Sequence, residues 1–234
     1  MSDQTNVVII PAHNEERSIG RVVRDIPRPP VSEIIVVNNR STDRTAEEAR
    51  AAGATVLHED RMGYGYACLT GMAHAARSAP RTVVFLDGDY SDYPEDLPLV
   101  LGPILRDAAD MVIGSRTLGV RERGALLPQA IFGNWLACFL IRMFWGYTFT
   151  DLGPFRAITW ESLQAMDMQD PTYGWTVEMQ IKAAKMKLRC TEVPVRYRKR
   201  IGTSKVTGTL TGTVKASVKI LSMIGKHAIR RAHR

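Results

Sequence analysis

The stretch from Thr82 to Asp96, TVVFLDGDYSDYPED, decides how the rest of the chain is read. Thr82 to Leu86 is a β-branched and apolar run of the length of a buried strand. It stops at Asp87, Gly88 and Asp89. Two carboxylates one residue apart at a strand end can converge on one ligand, and the glycine between them lets the backbone bend. Hard oxygen donors of this kind suit Mg²⁺ or Mn²⁺ carrying a diphosphate. Acidic turns are common, so the pattern gains weight from where its strand sits.

Upstream and downstream, similar runs read as strands: Asn6 to Pro11 (NVVIIP), Glu33 to Asn38 (EIIVVN), Thr55 to His58 and Met111 to Gly114 (MVIG). Helical patterns at Glu15 to Asp25, Asp43 to Ala52, Tyr66 to Ser78 and Leu97 to Asp107 alternate with them. Ser41 or Asp43 is placed to cap the second helix, with Gly53 just past its end. The alternation predicts βαβ units, hence an α/β fold with a mostly parallel, Rossmann-like central sheet flanked by helices. Ligands of such sheets bind at the carboxyl ends of the strands, where Asp87 and Asp89 stand. After the first strand come Pro11, Ala12, His13, Asn14 and Glu15 rather than GxGxxG, which argues against Rossmann-type NAD binding. The chain also has no Walker lysine loop, no HExxH and no GxSxG.

The second half is less regular. Arg116 to Pro128 reads as a mobile loop. Gln129 to Gly146 is a strongly apolar helix, interrupted by Asn134 and Arg142, which fits core packing or an in-plane membrane helix better than a bilayer span. A turn, TDLGPFR, occupies 150–156. A helix at Trp175 to Lys185, a strand at Leu188 to Val195 and a final amphipathic helix from about Thr211 to Ile229 complete the prediction. Met166, Met168, Met179 and Met186 suit core filling.

The 234 residues are 45% hydrophobic and 24% charged, which excludes wholesale disorder. The net charge of +7 is unevenly placed: residues 1–181 carry −7, and Lys182 to Arg234 carry +14 with Glu192 as the one acid. A basic tail on an acidic body predicts a polyanionic partner or a solvated basic helix. Nucleic acid is disfavoured, because no Phe, Tyr or Trp lies between Val206 and Arg234 to stack on bases. Cys68, Cys138 and Cys190 form no pairwise framework and read as buried free thiols of a reducing, cytoplasmic compartment. The first residues do not read as a secretory signal.

Nine stretches together resemble family 2 glycosyltransferases of the GT-A fold, and most of all the dolichyl- or polyprenyl-phosphate sugar synthases. They are VVIIPAHNEE, IIVVNNRSTDRT, RMGYGYACLTGM, VVFLDGDYSDYPED, DMVIGSR, TDLGPFRAI, WTVEMQIKA, EVPVRYR and RKRIGTSK, in order from residue 7 to 205. The resemblance implies a catalytic domain over 1–205, with a nucleotide-sugar half to about 116 and an acceptor half after it, then a basic amphipathic helix over 206–234. It implies that Pro11, Ala12, Asn14 and Glu15 line a nucleoside pocket with Asn39 and Gly88. Asn38 and Asn39 stand where the family usually carries an acidic pair or Asp-Asn, which leaves uracil and guanine both open. Asp87 would hold nucleotide and metal, and Asp89 would ligate Mg²⁺ or Mn²⁺. Arg116 would approach the donor, and Arg198, Arg200, Ser204 and Lys205 would close over phosphates.

Each residue has a structural alternative. Asn14 could cap a helix and Glu15 favour its N-terminus. Arg116 could be a surface charge, Asp151 a turn residue, Glu178 an exposed helical one, and His13 structural. The implied reaction is displacement with inversion. A hydroxyl acceptor would require a base, for which Asp151 and Glu178 are the candidates, whereas a phosphate acceptor would not. Three readings follow: a transferase acting on polyprenyl phosphate, peripheral on an anionic membrane surface at the cytoplasmic face without a transmembrane helix; a soluble transferase with a hydroxyl or glycan acceptor; or a non-catalytic nucleotide-sugar-binding subunit. The hexose and the oligomeric state are not legible.

Overall fold

Seven strands assemble because each carries residues that pack on both sides of a sheet. In the computed structural model, which describes residues 5–202 and 218–228, β1 (Asn6–Ala12) is buried along its whole length. Val7 and Ile9 face one core, and Val8 and Ile10 the other. Parallel neighbours β2 (Val31–Asn38) and β4 (Thr82–Phe85) flank it, and β3 (Thr55–His58) closes that edge, parallel to β2. Beyond β4, in sheet order, come β6 (Arg156–Thr159), β5 (Met111–Ser115) and β7 (Cys190–Pro194). β6 runs antiparallel to both β4 and β5, while β5 and β7 are parallel.

Helices cover both faces. On one lie α1 (Ile19–Asp25), α2 (Thr45–Ala51) and α4 (Leu97–Leu105), which send Ile19, Val22, Ala49, Leu97 and Leu101 onto the sheet. On the other lie α3 (Tyr64–Ala75), α5 (Pro128–Trp145), α6 (Trp160–Met166) and α7 (Trp175–Met186). Residues 218–228 form α8, whose Ile224 joins that core.

The parallel half matches the expected elements to within a few residues at their ends. The first helix begins at Ile19 rather than Glu15, because Glu15 to Ser18 is a turn in which Ser18 and Ile19 donate to the Glu15 carbonyl at 3.0 and 2.9 Å. Asp43 does sit at the start of α2, where its Oδ1 accepts from the Thr45 backbone N–H at 3.0 Å. β6 and α6 were not anticipated.

The loop expected to be mobile is tied down, and so is the chain after β7. Tyr197 N–H donates to the Val120 carbonyl at 2.9 Å, and Glu122 N–H donates to the Tyr197 carbonyl at 2.8 Å, so the loop after Arg116 is laced to the chain after β7. That chain is held in turn by Arg198 N–H on the Ser91 carbonyl and Ile201 N–H on the Asp89 carbonyl, both at 2.9 Å. It forms a strap across the end of β4. Ser204 and Lys205 lie outside the described residues, as do much of the expected final helix and its Lys215. In α8, Ile224 and His227 are buried and Lys219 pairs with Asp170 at 2.8 Å, while Val218 and Leu221 are exposed. The helix therefore packs on the domain, with Lys219 held by Asp170.

Candidate active site

β4 ends where β1 and β2 end, so the loops after these three parallel strands meet at one rim. Pro11, Ala12, His13 and Glu15 from the first, Asn39 from the second, and Asp87, Gly88 and Asp89 from the third line a cavity of about 220 Å³ with Met62, Gly63, Tyr64, Thr172, Tyr173 and Arg200. Six of the seven residues expected to bind nucleotide are brought together here. Asn14 is not among them: its Oδ1 accepts from Thr42 N–H at 2.8 Å and braces the neighbouring loop.

Asn39 contributes differently from expectation. Its side-chain N–H groups donate to the carbonyls of Glu59 and Arg61 at 2.9 and 2.8 Å, and its Oδ1 accepts from Gly63 N–H at 2.8 Å. These bonds shape the 59–63 loop that walls the cavity. Glu59 completes the support, gripping Arg61 and accepting from Thr70 Oγ1 at 2.6 Å. The Arg61 hydrogen bonds, against burial and helped by Thr70, hold its carboxyl down at about 2. The far wall must come close: a Cβ on Gly65 would stand 1.8 Å from the Asp170 carbonyl oxygen, so glycine is required there. This approach carries Thr172 and Tyr173 into the cavity.

Asp87 and Asp89 occupy unlike environments. Asp87 accepts from the Tyr64 hydroxyl at 3.1 Å, and burial, then the charge of Asp89, push its carboxyl above the usual range. Asp89 is buried too, but Ser91 N–H and Oγ donate to its Oδ1 at 2.9 and 2.6 Å, and Arg200 lies 2.8 Å from its Oδ2. No cluster of three or more His, Cys, Asp or Glu suited to a metal occurs among the described residues. Two hard carboxylates one residue apart at a strand end nevertheless fit a divalent ion.

A second cavity, of about 290 Å³, adjoins the first through Tyr64, Asp87, Tyr173 and Arg200, which line both. Arg116, Leu126, Gln129, Asn134, Leu152 and Trp175 also line it. Arg116 is no surface charge. Its backbone N–H and Nε donate to Asp151 Oδ2 at 2.7 and 2.8 Å, and its Nη2 donates to Oδ1 at 2.6 Å. Burial works against both charges, but each outweighs it for the other, so Asp151 stays ionised and Arg116 holds its proton more firmly. Asp151, with both oxygens taken, orients Arg116 and is not poised as a base.

Glu178 is not on the exposed face of its helix, nor in this site. It is buried, accepts from Gln169 and Asp170 backbone N–H groups at 3.1 and 2.7 Å, and pairs with Lys182 at 2.8 Å. Its work is to hold the loop that carries Thr172 and Tyr173. Arg198 faces aromatic rings rather than a phosphate pocket, its guanidinium carbon 3.4 Å from the Tyr90 centroid and 4.0 Å from that of Tyr93. His13 lines the first cavity with Nδ1 2.7 Å from the Asn39 carbonyl oxygen. Cys68 and Cys138 are buried and Cys190 half-buried, all three free; burial pushes the latter two thiols up to about 12.

Sequence reasoning missed Tyr64, Tyr173, Trp175, Arg156 and Asp92. Arg156 is fully buried, donates to the Gly153 and Thr176 carbonyls, and is pulled down to about 10 by burial. The two Asp92 oxygens have no partner among the described residues, and burial followed by Asp87 raises its pKa well above the ordinary value. The available signal was that Tyr64, Asp92, Arg156 and Trp175 lie inside stretches already singled out, whereas Tyr173 lies in none of them.

Comparison with known proteins agrees with this architecture. The chain is 34% identical over 204 residues to a dolichyl-phosphate hexose transferase of Haloferax volcanii, with 85% of each chain covered. It is 30% identical over 227 residues to an undecaprenyl-phosphate mannosyltransferase of Micrococcus luteus, with 91% of each covered. In three dimensions it matches glucosyl-3-phosphoglycerate synthase of Mycobacterium tuberculosis, solved with Mn²⁺, UDP and phosphoglyceric acid. That match has a TM-score of 0.76 at 23% identity, covering 96% of this chain and 78% of the other, which establishes a shared GT-A fold. The model for glycosyl transferase family 2 matches residues 7–162, from the first strand through the Asp87–Asp89 pair and Arg116 to β6. The chain therefore belongs to glycosyl transferase family 2.

Proposed function

We propose that the chain is an inverting glycosyltransferase that moves a hexosyl group from a nucleotide diphosphate sugar to a polyprenyl or dolichyl phosphate at a membrane surface. One observation carries the acceptor class. Among the described residues lining the cavity beside α5, Asp87 is the one carboxylate, while Arg116 and Arg200 supply positive charge. A hydroxyl acceptor needs a positioned base to remove its proton. A phosphate monoester is already an anion and suits the forked donors of arginine.

The lipid part of the acceptor is supported by α5. Gln129, Ala130, Gly133 and Asn134 of this helix line the cavity. Along its outer face Phe132, Trp135, Phe139 and Met143 are each about half exposed or more. Phe132, Trp135 and Phe139 follow one another with ring centroids 5.8 and 5.7 Å apart. Such a stripe suits the boundary between headgroups and acyl chains. No described helix is long and apolar enough to cross a membrane. The names of the relatives support the same acceptor class.

Asp87 and Asp89 would hold Mg²⁺ or Mn²⁺, which when bound offsets charge developing on the leaving diphosphate. The donor's nucleoside would lie in the cavity of Pro11, Ala12 and Asn39, and its sugar at the junction of the two cavities. Arg200, at that junction, meets the diphosphate or the acceptor phosphate. Arg116, kept in place by Asp151, meets the acceptor. The attacking oxygen approaches from the α5 side, opposite the diphosphate, which inverts the anomeric carbon. The test is to offer UDP- and GDP-sugars with Mg²⁺ or Mn²⁺, with and without polyprenyl phosphate, and to measure nucleoside diphosphate and lipid-linked sugar together. Release in step with lipid product supports the proposal; release that ignores the lipid phosphate opposes it.

A further inference from the structure

Trp175 opens α7 and is 1% exposed, yet it lines the 290 Å³ cavity. The indole packs on Phe85, with ring centroids 5.9 Å apart in a T-shaped contact. Its Nε1–H is buried and has no hydrogen-bond partner among the described residues. Indole nitrogen is a donor only. Leaving such a donor dry is unfavourable, and native proteins rarely do so without a ligand or water to meet it.

We propose that the indole N–H of Trp175 donates to a hydroxyl of the donor's hexosyl group, making Trp175 a sugar-recognition residue of the site. The inference rests on the reading of the chain as a hexosyltransferase. Three observations narrow the ligand. The cavity meets the nucleotide side at Tyr64, Asp87, Tyr173 and Arg200, so the group in transit occupies the space that Trp175 lines. The cations lining that cavity, Arg116 and Arg200, are matched to phosphate oxygens, whereas a neutral N–H is matched to a neutral oxygen. Leu152 and Pro154, which share the wall with Trp175, are apolar and would leave a charged oxygen there without solvation.

The reciprocal of an unpaired donor is selectivity. A site that hydrogen-bonds a particular hydroxyl discriminates against the sugar lacking it, because its own buried donor then stays unpaired. Trp175→Phe keeps an aromatic ring against Phe85 and removes the N–H, so it is the informative substitution.

The experiment measures binding of UDP-glucose, UDP-N-acetylglucosamine and GDP-mannose, each beside its nucleoside diphosphate, to the native chain and to Trp175→Phe with Mn²⁺ present. The native chain should bind one nucleotide sugar more tightly than its nucleoside diphosphate. Trp175→Phe should lose about 3- to 10-fold in affinity for that sugar, the span of one net hydrogen bond, and bind the bare diphosphate as before. Unchanged diphosphate binding also shows that the variant is folded. In ¹⁵N spectra of the native chain, the indole resonance that Trp175→Phe deletes should shift on adding the nucleotide sugar, and shift less with the diphosphate alone. Equal affinities of both proteins for the sugar, or an indole resonance that ignores it, would overturn the role of Trp175. A resonance that moves only when polyprenyl phosphate is added would overturn it in favour of the acceptor. No nucleotide-sugar binding by the native chain would instead defeat the transferase reading beneath it.

Discussion

Arg200 lies 2.8 Å from Oδ2 of Asp89, so a residue of the strap after β7 neutralises a carboxylate presented at the end of β4. A cation and a carboxylate proposed to hold metal, separated by more than a hundred residues, thus meet. A divalent ion at Asp89 would compete with this guanidinium for the carboxylate and release it towards phosphate. Arg200→Ala should therefore bind Mn²⁺ at least as tightly as the native chain, by paramagnetic titration. It should also turn over at least about 100-fold more slowly, the loss typical of removing one donor from a charge-stabilising site. Native turnover in that variant would leave Arg200 without a catalytic part.

Asp89→Asn is expected to behave oppositely. It removes the charge but keeps the shape, and Ser91 N–H and Oγ still have an oxygen to meet. Mn²⁺ affinity should collapse and turnover fall by at least about 100-fold, since the ion's electrostatic contribution is several kcal/mol. Undiminished Mn²⁺ binding would assign the metal elsewhere.

Asp151→Asn tests whether that carboxylate orients Arg116. Leaving the buried guanidinium short of its counter-charge should cost about 3–5 kcal/mol in urea unfolding. Adding Arg116→Met should recover a large part of that loss without restoring turnover. A base that merely removed a proton would show the reverse, with little change in stability.

How much of this was legible in the chain differs between its halves. β1, β2 and β4 are buried runs of Val, Ile and Phe, long enough to declare themselves, and they place Asp87 and Asp89 at the strand ends without further information. β6 is four residues, Arg-Ala-Ile-Thr, and its first carries a charge. Burial of Arg156 rests on carbonyls of Gly153 and Thr176, contacts that exist only once α7 is in place. The pairing of Arg116 with Asp151 spans 35 residues and depends on β5 and the 150–153 turn lying side by side, so neither residue alone revealed its partner. Glu178 misled for a related reason: it lies on a helix whose charged face turned out to be an internal one, packed against the 169–174 loop.

The support under the donor cavity makes a pH prediction. Glu59 is ionised down to about pH 2 because Arg61 and Thr70 hydrogen-bond it, below the ordinary 4.5 of a glutamate. A depressed carboxyl stabilises the fold above its unfolded pKa, and that contribution is lost as pH falls from about 4.5 towards 2. Glu59→Gln should therefore be less stable than the native chain at pH 7 by about 1–3 kcal/mol. It should also show a shallower loss of stability between pH 5 and pH 2, in denaturant titrations at each pH. Parallel acid profiles would mean that Glu59 is not the group responsible.

The aromatic face of α5 should report on lipid. Replacing Phe132, Trp135 and Phe139 together by Ser should weaken sedimentation with phospholipid vesicles by at least about tenfold, given the apolar area removed. Donor binding, which uses the other cavity, should not change. Vesicle binding that survives the triple substitution would move the contact away from α5.

The proposed acceptor is a phosphate that needs no base, and one comparison tests this directly. The chain, with Mn²⁺ and a radiolabelled nucleotide sugar that it binds, is offered polyprenyl phosphate or the matching polyprenol, and label is counted in the organic phase. Label is expected with the phosphate and none above background with the alcohol. Transfer to the alcohol at a comparable rate would contradict it, because the chain would then possess a base that Asp151 and Glu178, as they are held here, do not supply.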